Sequence, residues 1–518
     1  MVVHNTLVCL LLGSMAVAGH GQVSAPPPAA PGLEQRIDAV SAALAATQQQ
    51  LDESQRQMRQ LQQELLQLRQ QIAAGATTSQ PASAPTVNAT IASSSSSQSG
   101  TLSDASAATI EERQQAVEAA VKLHDQTKVE SSSKYPVRVT GLILFNGFLN
   151  KGLPDDVDVP AIALHQSSTT GNGSLGATLR QTILGIEGQG PRIGGARTSA
   201  NVNIDFFAGL SYTSYGTSAG SVRMRTASVN FDWANDSVEL GLVTPLISPL
   251  SPTSFATVAE PSLSGAGNLW NWAPQLRFTH RVPLRDENHL QFEFGLWDSP
   301  SAGYNGNQQL VRTASPAELA QQPAYETRIS YGSASDRGLQ VGASGYYSRQ
   351  AYPGYQGYVG TENLDSWAGT GDWRLPFAHH FEISGEAYRG RALGGLGGGE
   401  YKDIIAGTDP VSGLPVLHGL NAVGGWTQFK TRFSQSLETN FSFGRDDGFA
   451  RDFHAVVLPS TASGTQLRAR NQMAVANLIF RPKTYIILSP EYRRIWTWPI
   501  NSTVNSVNIF TLSAGYQF

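Results

Sequence analysis

From Tyr135 onward the chain alternates apolar and polar residues with a period of two, in short segments divided by turn residues. Val507–Phe518 is the clearest of them. Asn508, Phe510, Leu512, Ala514, Tyr516 and Phe518 share one face; Val507, Ile509, Thr511, Ser513, Gly515 and Gln517 share the other. A period of two marks a β-strand, here with an aromatic, apolar face and a small, polar one. No polar tail follows Phe518. In water such a strand frays and invites pairing along its edge. In a membrane barrel its aromatic face meets lipid, and both neighbours take its backbone hydrogen bonds.

Sixteen strands are predicted: 137–149, 179–189, 199–211, 222–233, 238–244, 275–282, 289–297, 324–332, 338–348, 365–375, 381–390, 425–434, 437–444, 471–481, 484–493 and 507–518. Connections after even-numbered strands are short, such as Ala234–Asp236, Pro376–His380 and Pro482–Lys483. Those after odd-numbered strands are mostly long, above all Pro245–Pro274. That asymmetry is what an antiparallel membrane barrel requires, with turns on one side and loops on the other. The expected fold class is an all-β transmembrane antiparallel barrel of about sixteen strands over 135–518, with an N-terminal α-helical coiled coil.

The coiled coil is read over 33–73. Ile37, Leu44, Leu51, Met58, Leu65 and Ile72 recur every seven residues at position a, and Leu33, Val40, Thr47, Ser54, Leu61 and Leu68 occupy position d. A lone helix would expose this stripe, so a partner helix is expected. The coil would reach roughly 60 Å at the helical rise of ~1.5 Å per residue. Before it, an apolar stretch and the small-x-small site Ala16-Val17-Ala18 read as an export signal over 1–18. After it come a Ser/Ala/Thr/Pro linker (74–108) with too few apolar residues for a core, and a short helix with its connector (109–134).

Composition narrows the function. The formal charge of −4 does not suit nucleic-acid binding, and no apolar run is long enough for a helical span. The single cysteine, Cys9, falls in the signal, which removes disulfides and thiolate metal sites from the mature chain. Charged residues alternate with apolar ones within strands: Arg277 and Arg281 against Leu276 and Phe278, Glu293 against Phe292 and Phe294, Glu326 and Arg328 against Tyr325 and Ile329, Lys430 and Arg432 against Phe429 and Phe433. An Arg or Lys facing lipid at the midplane costs about 2–4 kcal/mol, so these faces are expected to line a lumen. Arg223 and Arg225 join the candidates, although they share a parity with Val229 and Phe231 unless a bulge intervenes. Their bland alternative is a charge-balanced wall in which the arginines pair with Glu239, Glu293, Glu326 or Glu382. Trp297, Tyr347, Trp373, Tyr388 and Tyr485 are expected in interfacial girdles. A lumen this wide needs a constriction, and the candidate is the third long loop, with Pro245, Ser251, Phe255, Glu260, Trp270 and Trp272; Glu260 is its only charge.

No enzyme and no cofactor are expected. The elbow-like Gly216–Gly220 lies between two strands without a following helix, the glycines at 394–399 lack a Lys-Ser/Thr pair, and His379 and His380 have no spaced third ligand.

The closing strand is similar to the C-terminal strand of bacterial outer-membrane barrels. The architecture, with the segments Leu179–Gly188 (LRQTILGIEG), Gly241–Leu246 (GLVTPL) and Pro274–Phe278 (PQLRF), resembles the DcaP-like porins of Gram-negative bacteria. That resemblance implies a homotrimer in outer-membrane lipid, a coil that trimerises in the periplasm, a third loop folded inward, and diffusion of small, often anionic solutes. The nearly uncharged third loop departs from it. The alternatives are a tether between outer membrane and cell wall, with the coil contacting peptidoglycan, and a trimeric adhesin anchored by the barrel.

Overall fold

The computed structural model describes residues 136–167, 169–209, 220–284, 288–301, 313–333, 338–354, 361–460, 462, 464–500 and 502–518. The expected signal, coiled coil, linker and short helix lie outside the described residues. In chain order the strands are β1 (Val137–Lys151), β2 (Gly173–Thr178), β3 (Ile183–Gln189), β4 (Arg197–Asp205), β5 (Arg223–Asp232), β6 (Asp236–Val243), β7 (Ala273–Pro283), β8 (Asn288–Trp297), β9 (Ala324–Ser333), β10 (Gln340–Pro353), β11 (Thr361–Phe377), β12 (Phe381–Arg391), β13 (Ile404–Thr408), β14 (Pro415–Gly419), β15 (Asn421–Arg432), β16 (Leu437–Gly448), β17 (Arg468–Lys483), β18 (Ile486–Pro499) and β19 (Asn505–Gln517).

β13 and β14 form a separate hairpin within the loop that joins β12 to β15. All the others belong to one antiparallel sheet. β2 and β3 pair with the two halves of β1, over Asn146–Lys151 and Val137–Leu142, and are therefore one crossing in two pieces. The remaining strands make one crossing each, so the chain crosses sixteen times. The sheet closes because β1 also pairs with β19. Phe518 extends that closing ladder: its N–H donates to Gly141 O (3.0 Å) and its carbonyl accepts from Gly141 N–H (2.9 Å).

The alternation decides which residues face outward. On β19, Phe510, Leu512 and Tyr516 are exposed, whereas Val507, Ile509 and Ser513 are buried. On β9, Tyr325, Ile329 and Tyr331 are exposed, and Glu326, Arg328 and Ser330 between them are buried. The outward set continues through Phe278, Phe292, Phe294, Phe429, Phe441 and Phe443. Burying apolar surface is worth about 25 cal/mol per Å², and soluble monomers rarely show apolar patches beyond a few hundred Å². A belt of this extent therefore has lipid as its solvent. Near the short turns it turns aromatic: Phe381 stacks between Phe377 (5.5 Å) and Phe429 (5.7 Å), and Tyr516 between Tyr485 (5.3 Å) and Phe518 (6.5 Å).

Several expectations need correction. The second crossing begins at Gly173 rather than Leu179, and it breaks over Leu179–Thr182, where Thr182 N–H turns back onto Leu179 O (3.0 Å). The third strand ends at Asp205, whose carboxylate takes Phe207 N–H (3.1 Å) and starts the loop. The β13–β14 hairpin was not anticipated. Trp297 and Tyr388, expected in girdles, are buried and point inward, where they join Ile247, Leu269, Tyr346 and Leu396 in a core cluster. Parity explains both: Trp297 shares a face with Glu293, and Tyr388 with Glu386. Tyr347 and Tyr485 do face outward.

Candidate functional site

The third long loop, 244–272, lies on the inner wall, because the side chains it bonds alternate with lipid-facing ones. Leu246 N–H donates to Glu326 on β9 (2.8 Å) and its carbonyl accepts from Ser344 on β10 (3.4 Å). Ile247 O accepts from Thr370 on β11 (2.8 Å), and Leu250 N–H donates to Glu386 on β12 (2.7 Å). Thr253 N–H reaches Gln428 on β15 (2.7 Å), while Thr253 O accepts from Asn477 on β17 (2.8 Å). Ser254 donates to Glu491 on β18 (2.6 Å), and Phe255 O accepts from Asn146 on β1 (3.2 Å). Gln181, in the break between β2 and β3, donates to Ala256 O (2.9 Å) and accepts from Val258 (2.6 Å) and Ala259 (3.0 Å). Ala259 O finally accepts from Arg223 on β5 (2.8 Å). In fourteen residues, 246–259, the loop visits ten of the sixteen crossings in spatial order.

Its second half returns across the interior. Gly265 O accepts from Asn471 on β17 (2.9 Å), and Leu263 and Ala266 pack among Ala163, Trp426, Met473, Ile495, Val507 and Ile509. Inward apolar residues on β17–β19 thus form a core with this loop. Gly267 must be glycine, since a Cβ there would lie 2.2 Å from Gly425 O, and its φ is +97°. Trp270 N–H donates to Leu396 O (3.0 Å) in the loop after β12.

The candidate charges sort by partner. Asn203 opposes Thr226 and Ile204 opposes Met224, so Arg225 is the extra residue of a bulge. The bulge turns Arg223 and Arg225 together onto the fully buried Asp205 (2.6 and 3.5 Å). Around them guanidinium and ring alternate. Arg180 lies over Phe207 (4.3 Å), Arg223 between Phe207 (5.6 Å) and Trp272 (5.3 Å), and Arg225 over Trp272 (4.3 Å). Trp270 meets Trp272 edge-on (5.4 Å), and Arg180 pairs with Asp158 (2.6 Å). Arg180, Asp205 and Phe207 were missed in the sequence; the parity of Asp205 with Asn201 and Asn203 was the available signal.

Elsewhere the balanced wall holds: Arg277 pairs with Glu239 (3.4 Å), Arg328 with Glu293 and Asp372 (2.8 Å each), and Arg432 with Glu382 (2.8 Å). Lys430 opposes Glu382 in the ladder. Glu326 serves the loop rather than an arginine, and the Arg281 guanidinium donates to Gln291 (2.9 Å). In the loop itself Pro245 is buried and Ser251 exposed, and Phe255 lies under Arg481 (5.6 Å). Glu260 is half-buried; burial and the neighbouring Asp155 push its carboxyl up to about 7, against the pull of Arg223. Among the described residues no group of His, Cys, Asp or Glu is placed to hold a metal ion.

Gln181 is the anchor whose loss the loop should feel most. Gln181→Ala leaves two N–H groups and one carbonyl without partners, at about 1–3 kcal/mol for an unsatisfied buried group. The barrel should still fold, read as heat-modifiable migration on gels, while its melting point in detergent falls by several degrees. An unchanged melting point would mean that these bonds do not hold the loop.

No family model matches the chain, and no curated protein matches it in sequence. Solved structures do. The outer-membrane channel DcaP of Acinetobacter baumannii superposes with a TM-score of 0.54 at 17% identity, over 74% of this chain and 99% of that one. An anion-selective porin from Comamonas acidovorans follows at a TM-score of 0.45 and 12% identity, over 74% of this chain and all of that one, too distant to add weight. The chain has the fold of a sixteen-stranded outer-membrane channel.

Proposed function

We propose that this chain is an outer-membrane porin. It passes small hydrophilic solutes, anions preferentially, through a lumen narrowed by the third long loop. The observation that carries the reading is the loop's circuit of the inner wall. At ~3.3 Å per residue, 246–259 reaches at most about 45 Å while turning through three-quarters of the barrel, so its ring is under about 20 Å across. The anion preference draws support from the Arg180–Arg223–Arg225 stack, in which three guanidiniums pair with two carboxylates, Asp158 and Asp205, beside a Glu260 carboxyl pushed up to about 7. A positive mouth with low-dielectric walls concentrates anions. Closure by a single chain favours this over an adhesin, in which each chain supplies only a few strands.

Reversal potentials in a KCl gradient test it. The purified protein should be anion-selective, and Arg223→Gln with Arg225→Gln should move the ratio several-fold towards cations. A folded protein that carries no current overturns the porin reading. Acidity should act through Glu260: as pH falls through about 7 the carboxyl takes a proton, the mouth loses a negative charge, and anion preference rises. Glu260→Gln should hold the acid value at every pH; a wild-type ratio flat between pH 6 and 8 would discount Glu260.

The coil at 33–73 we assign to trimerisation beneath the membrane. Deleting Leu33–Ile72 should leave single-barrel conductance intact and reduce the cross-linked trimer in the envelope. If the trimer persists and envelope attachment is lost instead, the coil is a tether.

A further inference from the structure

At the short-turn end of the lumen, the inner wall of β7–β11 encloses a cavity of about 760 Å³. It is lined by Arg281, His289, Gln291, Arg328, Gln340 and Arg374, with other polar and backbone groups between them. The ladder shows why this place is unlike the rest of the wall. Seven other inward cations face a carboxylate across the strands: Arg138 opposes Glu187, Arg197 opposes Asp232, Arg223 opposes Asp205, Arg277 opposes Glu239, Arg328 opposes Glu293, Lys430 opposes Glu382 and Arg432 opposes Glu438. Arg281 instead opposes Gln291, and Arg374 opposes Gln340. Both line the same cavity, whereas Arg493, which opposes Val475 and Ile509, pairs with Glu491 of its own strand (2.6 Å).

The hydrogen bonds extend the contrast. Arg328, also in the lining, is engaged at all three nitrogens: Nε and Nη2 go to Asp372, and Nη1 goes to Glu293 and Ser330. Arg281 and Arg374 are each held through Nε alone, to Gln291 Oε1 (2.9 Å) and Gly338 O (3.2 Å). Among the described residues neither has a carboxylate partner, and the Nη atoms of both are left to the cavity. An anchored guanidinium with its Nη donors open is pre-oriented for an oxyanion, and Arg presents those donors in a fork that matches carboxylate or phosphate.

We propose that this cavity is a resting site for a small oxyanion, a carboxylate or phosphate group, gripped by Arg281 and Arg374 and steadied by the amides of Gln291 and Gln340. It rests on the reading of the barrel as a solute channel and adds a station to it. An anion leaving the constriction meets a second cationic site before the exit. A wet site of this kind binds on the order of millimolar, tight enough to attract and weak enough to release.

Inorganic phosphate is the probe. With the full chain in planar bilayers, phosphate should reduce the chloride current with a half-effect in the millimolar range. Arg281→Gln and Arg374→Gln should each raise that concentration about five- to tenfold, and the double variant should abolish the effect. Equal block of wild type and double variant overturns the site and leaves the channel standing. If the wild type carries no chloride current, the porin reading fails, and phosphorus NMR decides the site separately. The phosphate line should broaden with the detergent-solubilised full chain and stay narrow with the double variant. Equal broadening in both overturns the proposal.

Discussion

Lipid offers no partner to a backbone N–H or carbonyl, and that requirement orders everything else in this molecule. A barrel meets it only if its last strand finds its first. Here β19 pairs with β1, and the reciprocal bonds between Gly141 and Phe518 carry the ladder to its final residue. The requirement is equally visible where the ladder fails. β2 covers β1 from Asn146 and β3 covers it up to Leu142, so Leu144 sits in the gap between them. Its N–H is taken by the Thr182 hydroxyl (3.1 Å). The break that costs a ladder bond also turns Gln181 inward, where it anchors the third long loop. Closure and constriction meet in four residues.

Once parity has sent the polar side chains inward, the question becomes what their charges do. Unpaired carboxylates in a closed interior are costly, and nearly every one here has a task. Glu326, Glu386 and Glu491 receive the loop; Glu239, Glu293, Glu382, Asp205 and Asp372 receive arginines. Among the described residues these wall carboxylates are engaged, whereas Arg281 and Arg374 have no carboxylate partner; the loop's Glu260 is the opposing charge. This argues for anion preference from the distribution of bonds rather than from net charge, which at −4 points the other way.

Strand positions and faces were legible because both are local and periodic. Even the bulge at Arg225 announced itself, as a parity conflict between Arg223 and Phe231. Trp297 and Tyr388 depart from the girdle for a different reason: their residue type suits the interface, but their parity with Glu293 and Glu386 turns them inward. The break at Leu179–Thr182 and the β13–β14 hairpin left no periodic trace. The loop's circuit was the least legible of all. It is written in pairs such as Thr253 with Asn477 and Ser254 with Glu491, more than two hundred residues apart in the chain. No window along the sequence contains both partners.

The chemistry of the anchors nevertheless follows a rule that a sequence could carry. A carboxylate only accepts, whereas an amide accepts at one atom and donates at the other. Glu326 meets the N–H of Leu246, a donor, so an acceptor-only group suits it. Gln181 meets two N–H groups and one carbonyl, and it uses Oε1 for the first kind and Nε2 for the second. Gln428 likewise accepts from Thr253 N–H and donates to the Thr253 hydroxyl (3.3 Å). Asn146 and Asn477 each donate to a loop carbonyl, which no carboxylate could do. Exchanging glutamate and glutamine at these positions keeps size and shape and reverses a donor. The pattern of acids and amides along the inner faces therefore encodes the orientation of the loop's backbone, peptide by peptide, around the wall.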